Sequence, residues 1–198
     1  MTGYSDRINH ALAFAAKHHD QEVRKGTRLP YLTHPANVAV ILTSYGCAEQ
    51  IVVAGILYDV VEDCVRDGMT HDTLLERVGR KFGVDTLDMI MSVTERKFDD
   101  SGTELSPTAR KDDCIERLDR ASSDALWVAA ADKVHLVNSI LSDLGRTAFP
   151  ETVWGRFSAG HEGTLRWYRR VTNRLREVGF DAPIVQELDT ATSRLESA

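Results

Sequence analysis

Ile51-Val-Val-Ala-Gly-Ile-Leu-Tyr-Asp-Val-Val-Glu-Asp63 is an almost unbroken apolar run that ends in three carboxylates, Asp59, Glu62 and Asp63. A helix that merely covered a core would show a polar face along its whole length. Read as a helix, the run sets Asp59 three residues before Glu62 and four before Asp63, so the acids project from one side. Negative charge gathered in the last turn opposes the helix dipole, whose C-terminal end is already negative. Local stability does not ask for this arrangement; a cation or a reaction does.

Outward from this stretch the chain reads as helices of about 10–20 residues, with no alternating strand and no internal repeat. The pattern predicts a first helix over 5–19, with Ile8, Leu12, Ala15 and Ala16 on one face, followed by a polar loop from Asp20 to Pro30. Pro35 suits the first turn of a second helix that stops at Gly46, which puts His34 at the cap. Further helices are expected over 70–82, 84–95, 107–120 and 123–144, with one or two more filling 151–177 and 184–195. Thr70 or Asp72 would cap the fourth and Gly83 would end it. The polar segment 97–106 reads as a mobile loop. The fold class is all-α, and no linker divides residues 1–198, so one domain is expected.

The net charge of −6 argues against wholesale binding to nucleic acid or to an anionic membrane, while leaving room for a local basic pocket. Cys47, Cys64 and Cys114 show no pairing pattern and read as reduced thiols of a cytoplasmic protein. The first residues lack the charged and apolar regions of a signal peptide, and no apolar run is long enough to span a bilayer.

Asp132 is the second informative position. It interrupts Ala125-Leu-Trp-Val-Ala-Ala-Ala-Asp-Lys-Val-His-Leu-Val137, where a carboxylate costs several kcal/mol unless a partner or a metal takes its charge. With His34 and Asp59 it offers imidazole and carboxylate donors from three helices, a set suited to Mn²⁺ or a similar ion. The residues alone leave a second reading open, in which Asp132 pairs with Lys133, Arg24 or a helix end. Tyr58 likewise reads as a core aromatic whose hydroxyl is accepted by Asp59, Glu62 or Asp132. His18 and His19 read as surface or helix-terminus groups, and His71 and His161 as isolated. Cys64 reads as a small buried residue.

Leu57-Tyr58-Asp59-Val60-Val61-Glu62-Asp63 resembles the signature of the HD-domain hydrolases of the RelA/SpoT type, Leu-His-Asp-Val-Val-Glu-Asp. Tyr31-Leu-Thr-His34-Pro35 resembles that family's Tyr-Ile-x-His-Pro corner, and Ala131-Asp132-Lys-Val-His135-Leu136 its Ala-Asp-Lys-Leu-His-Asn. Gln21-Glu-Val-Arg24-Lys25-Gly26, Phe82-Gly83, Val93-Thr94 and Trp167-Tyr168-Arg169-Arg170 extend the similarity over residues 11–171.

The resemblance implies hydrolysis of the 3′-pyrophosphate of ppGpp or pppGpp, with Mn²⁺ held by His34, Asp59 and Asp132 and Tyr58 at the fourth position. It implies Glu62 and Asp63 as catalytic acids and Arg24 stacked on guanine. Lys25 and Arg28 would face phosphate. His135 would brace the site. Its length implies a hydrolase half without a synthetase half. Two residues depart from the pattern. Tyr58 puts a phenol of pKa about 10 where the family has an imidazole, so metal affinity is expected to fall by orders of magnitude. Leu136 replaces an Asn that contacts nucleotide. A guanine nucleotide is the expected partner. A nucleotide-binding regulator without catalysis, a hydrolase of another phosphorylated nucleotide and a purely structural helical protein are the alternatives.

Overall fold

The computed structural model describes residues 4–63, 70–99 and 101–198. Its helices, in chain order, are α1 (Asp6–His18), α2 (Thr33–Ser44), α3 (Glu49–Asp63), α4 (His71–Phe82) and α5 (Val84–Val93), then α6 (Pro107–Leu118), α7 (Ser123–Leu144), α8 (Pro150–Trp154), α9 (Gly160–Glu177) and α10 (Pro183–Glu196). Among the described residues extended pairing is confined to two isolated bridges, Val23 with Pro30 and Phe98 with Glu104. The molecule is all-α.

Four of the helix starts follow from side-chain caps. Ser5, Thr70, Ser106 and Ser122 each accept from the backbone N–H three residues on, which satisfies one of the orphan donors of the first turn. Gly83, at φ +93°, closes α4 and opens α5 in one residue. Two expectations shift. His34 is the second residue of α2, because a turn held by Thr33 Oγ1 donating to Pro30 O and by His34 N–H donating to Tyr31 O starts the helix before Pro35. The proline still falls in the first turn, where its missing N–H costs nothing. The interval 151–177 holds two helices, broken at Gly155–Ala159.

α3 is the hub. Every residue from Ile51 to Val61 is buried, and the helix packs against α1, α2, α4, α5 and α7. A helix buried on all sides reads as continuous hydrophobicity rather than as a stripe. α10 covers the far side of α7 and α9. The approach of α2 to α3 depends on Gly55, where an added Cβ would stand 2.5 Å from Leu42 Cδ1 and 3.0 Å from Val38 Cγ1. That contact sets His34 opposite Tyr58 and Asp59. Gly55→Val is therefore expected to overpack the α2–α3 contact and to cost about 1–3 kcal/mol in denaturant unfolding. An unchanged midpoint and slope would show that the helices separate freely there.

Candidate active site

Three helices deliver the polar centre. His34 comes from the first turn of α2, Tyr58 and Asp59 from the last turns of α3, and Asp132 from the middle of α7; all four are buried. Their side chains form one bonded unit. His34 Nε2 stands 2.5 Å from the Tyr58 hydroxyl, 3.2 Å from Asp59 Oδ2 and 3.3 Å from Asp132 Oδ1. The Tyr58 hydroxyl donates to Asp132 Oδ1 at 2.8 Å, and the Tyr31 hydroxyl donates to Asp59 Oδ2 at 3.1 Å. Lys133 Nζ donates to the other oxygen of Asp132. On the far side of the His34 ring, Nδ1 meets His135 Nδ1 at 2.6 Å, and His135 Nε2 faces Ser139 Oγ at 3.4 Å.

The charges settle who donates. Burial works against a charged His34, but Asp59 and then Asp132 outweigh it and raise its pKa to about 9. Burial and the neighbouring His34 push His135 down to about 4. His34 is thus an imidazolium that donates from both nitrogens, to the Tyr58 oxygen and to neutral His135, whose other N–H faces Ser139. Asp132 stays ionised despite its burial because Lys133 and His34 hold its carboxyl far below the usual range. Burial and the two carboxylates keep the Tyr58 phenol protonated.

Beside this unit lie the other two acids of α3. Glu62 is half-buried and accepts the Glu95 N–H through Oε2 at 2.9 Å; its burial and the charge of Asp59 raise its pKa to about 8. Asp63 is exposed, 3.6 Å from Lys97 Nζ, and partial desolvation together with the charge of Asp59 raises its carboxyl as well. Lys97 also donates to the Glu62 carbonyl at 3.0 Å, tying the start of the 94–106 loop to the end of α3.

All of these groups except Lys97 line one cavity of about 790 Å³, large enough for a nucleotide. Its wall is basic where the centre is acidic: Arg24, Lys25, Lys111, Arg146 and Arg156 lie on it with Lys133. Arg24 lies 5.5 Å over the Tyr31 ring, and the Lys111 ammonium lies 4.1 Å over Trp167. An acidic centre inside a cationic wall suits a polyanionic ester, whose phosphates meet the wall while the acids face the bond to be broken.

Residues 11–153 match the HD domain model. The chain belongs to the HD-domain family. Among curated proteins it is 29% identical over 188 residues to the guanosine-3′,5′-bis(diphosphate) 3′-pyrophosphohydrolase MESH1 of Drosophila melanogaster, covering 93% of this chain and 92% of that one. The human protein of the same name is 35% identical over 138 residues, 68% of this chain and 70% of that one. Among solved structures, one described as a metazoan ortholog of SpoT that hydrolyses ppGpp superposes with TM-score 0.74 at 28% identity, covering 98% of both chains. Listeria monocytogenes lmo0812 gives TM-score 0.68 at 27% identity over 85% of this chain and 97% of that one.

HD-domain phosphohydrolases generally use divalent metals. His34, Asp59 and Asp132 do come together, yet in this chain they do not fit an ion. The Tyr58 hydroxyl stands between His34 and Asp132 at hydrogen-bond distance from both. Among the described residues no group of three or more His, Cys, Asp or Glu side chains is arranged to hold a metal.

Arg24, Lys25 and Leu136 line the cavity, whereas Arg28 is exposed and does not. His19 is buried at the end of α1, its ring stacked on Tyr31 and its Nδ1 2.7 Å from Glu22, so it is no surface group. Within Trp167-Tyr168-Arg169-Arg170 the aromatics face the cavity, while Arg169 pairs with Asp189 and Glu196 and Arg170 with Asp112. Cys64 lies outside the described residues. Tyr31, Lys111, Arg146 and Arg156 carried no functional assignment in the sequence. Tyr31 had a signal, its place in the His34 corner; the others reach the cavity through tertiary packing alone.

Proposed function

We propose that this chain binds guanosine 3′,5′-bis(diphosphate) in its cavity and hydrolyses the 3′-pyrophosphate, acting as one domain over residues 1–198. The observation that supports it best is the placement of Glu62 beside Asp59 and Asp63 at the acidic centre of a cavity whose wall is cationic, where burial and the charge of Asp59 raise its pKa to about 8. An acid poised near neutral pH takes a proton from water more readily than an ordinary carboxylate does. Glu62 is the base, held by the Glu95 N–H, and Asp63 orients the attacking water beside it. The water oxygen bonds to the phosphorus next to the ribose 3′-oxygen, the bond to that oxygen breaks with its electron pair left on the oxygen, and the proton taken up by Glu62 passes to it through solvent, giving the 3′-hydroxyl and pyrophosphate. Lys111 and Lys25 meet the charge on the phosphate oxygens. Arg24 stacks on the guanine base by its planar guanidinium.

Mn²⁺, the ion implied by the family resemblance, enters no step, since Tyr58 stands among its ligands. The same observation favours a second reading, a pocket that holds the nucleotide with little turnover. Free thiols at Cys47 and Cys114 suit the cytoplasm, and no helix among the described residues is long and apolar enough to cross a membrane.

Calorimetric titration with ppGpp, paired with a pyrophosphate-release assay, tests both readings. Binding with release supports the hydrolase, binding without release the second reading, and no binding removes both. Arg24→Ala is expected to weaken ppGpp affinity roughly tenfold through lost stacking. An unchanged dissociation constant would remove Arg24 from the site.

A further inference from the structure

We propose that the Tyr58 hydroxyl takes the place of a divalent ion, so that this pocket is built to hold its ligand with no metal where His34, Asp59 and Asp132 meet. The first ground is reach. A phenol extends from its backbone further than an imidazole by about 2 Å, which is about the length of one metal–ligand bond. A tyrosine in place of a ligating histidine therefore lays its oxygen near the point an ion would occupy. The structure shows that outcome: the hydroxyl accepts from His34 Nε2 at 2.5 Å and donates to Asp132 Oδ1 at 2.8 Å.

The second ground is charge. A site waiting for a cation leaves carboxylates facing one another without donors, at a cost of several kcal/mol when buried. Here each has protein donors instead. Asp59 receives the Tyr31 hydroxyl and lies against His34, and Asp132 receives the Tyr58 hydroxyl and Lys133. Among the described residues the buried side-chain nitrogens and oxygens that lack a partner are Nε of Arg156 and of Arg174, neither of them in this centre. The third ground is packing. Tyr58 is 5% exposed in a helix buried on all sides, so its hydroxyl has no path outward that leaves α3 in place.

Ligand phosphates must then be met by the chain's own cations, and Arg24, Lys25, Lys111 and Arg146 stand on the cavity wall to do so. This extension to the nucleotide rests on the function proposed above; the statement about metal does not.

Titration with Mn²⁺ alone, read by the paramagnetic resonance of the free ion, tests the core of the proposal. Wild-type protein is expected to leave that signal undiminished. Tyr58→His is expected to take up a stoichiometric amount with affinity roughly 100-fold tighter or more, and His34→Ala in that background to lose it. Stoichiometric uptake by wild-type protein that His34→Ala abolishes overturns the proposal, as does a folded Tyr58→His protein that takes up none. Where Tyr58→His does not fold, wild-type protein decides by its melting temperature, expected to be equal in Mn²⁺ and in chelator; a rise that depends on His34 overturns the proposal. For the nucleotide, ppGpp affinity in chelator is expected to match that in Mn²⁺ within about twofold, a difference of less than about 0.5 kcal/mol. Binding that requires Mn²⁺ overturns the cation-free pocket. Absence of binding in both solutions removes the proposed function and leaves the metal result standing.

Discussion

Glu62→Gln is expected to lower pyrophosphate release from ppGpp by about 10²–10⁴-fold, the range for loss of a general base, while leaving ppGpp affinity near its wild-type value. The amide keeps the hydrogen bond from the Glu95 N–H, because its oxygen also accepts, so the fold around the end of α3 is preserved and only proton uptake is removed. The pH dependence gives a second readout. Burial and the charge of Asp59 raise the Glu62 pKa from 4.5 to about 8, so the base form is the minor species at neutrality. The rate in wild-type protein is expected to climb about tenfold per unit as pH rises toward 8 and to level above it. Stability runs the other way: a carboxyl that holds its proton more tightly when folded weakens the fold as pH rises from about 4.5 through about 8. A flat rate profile across that window, or equal turnover in Glu62→Gln, would take the base role from Glu62.

Much of this was legible in the chain because two of its helices violate the economy of a core. Three acids closing an apolar run, and Asp132 within the Ala-rich run of α7, are unfavourable places for charge, and both lie at the centre of the cavity. α7 was readable at both ends, since Ser122 is a strong cap and the apolar pattern stops at Leu144. His34 was placed at the cap, two positions short of where it stands in α2, because the bias of a residue before proline is local, and the Pro30–Thr33 turn outweighs it. The choice between metal and partner at Asp132 was not readable. It turned on the separation of Tyr58, His34 and Lys133 across three helices, which no spacing along the chain encodes. The cationic wall was hidden for the same reason: Lys111, Arg146 and Arg156 belong to different segments, brought to one cavity only by the packing of α6 on α9 and of α8 and α9 on α7.

Lys133 supplies the most demanding test of how the centre is held together. Its ammonium is the one full positive charge besides His34 bonded to buried Asp132 among the described residues, and Nζ stands 5.9 Å from the centre of the Trp167 ring. Lys133→Met keeps the stem and removes the charge. Breaking a buried pair on one side typically costs 3–5 kcal/mol because the partner is left uncompensated. Asp132 keeps the Tyr58 hydroxyl and His34, so the expected loss is at the lower end, about 3 kcal/mol in denaturant unfolding, or roughly 6–12 °C in melting temperature. The discriminating variant is the double change of Lys133→Met with Asp132→Asn. With the orphaned charge gone it is expected to recover a good part of that loss, giving a coupling energy of about 1–3 kcal/mol between the two sites. Strict additivity would mean that Lys133 acts on this centre through its stem alone, and that His34 and Tyr58 suffice to keep Asp132 ionised.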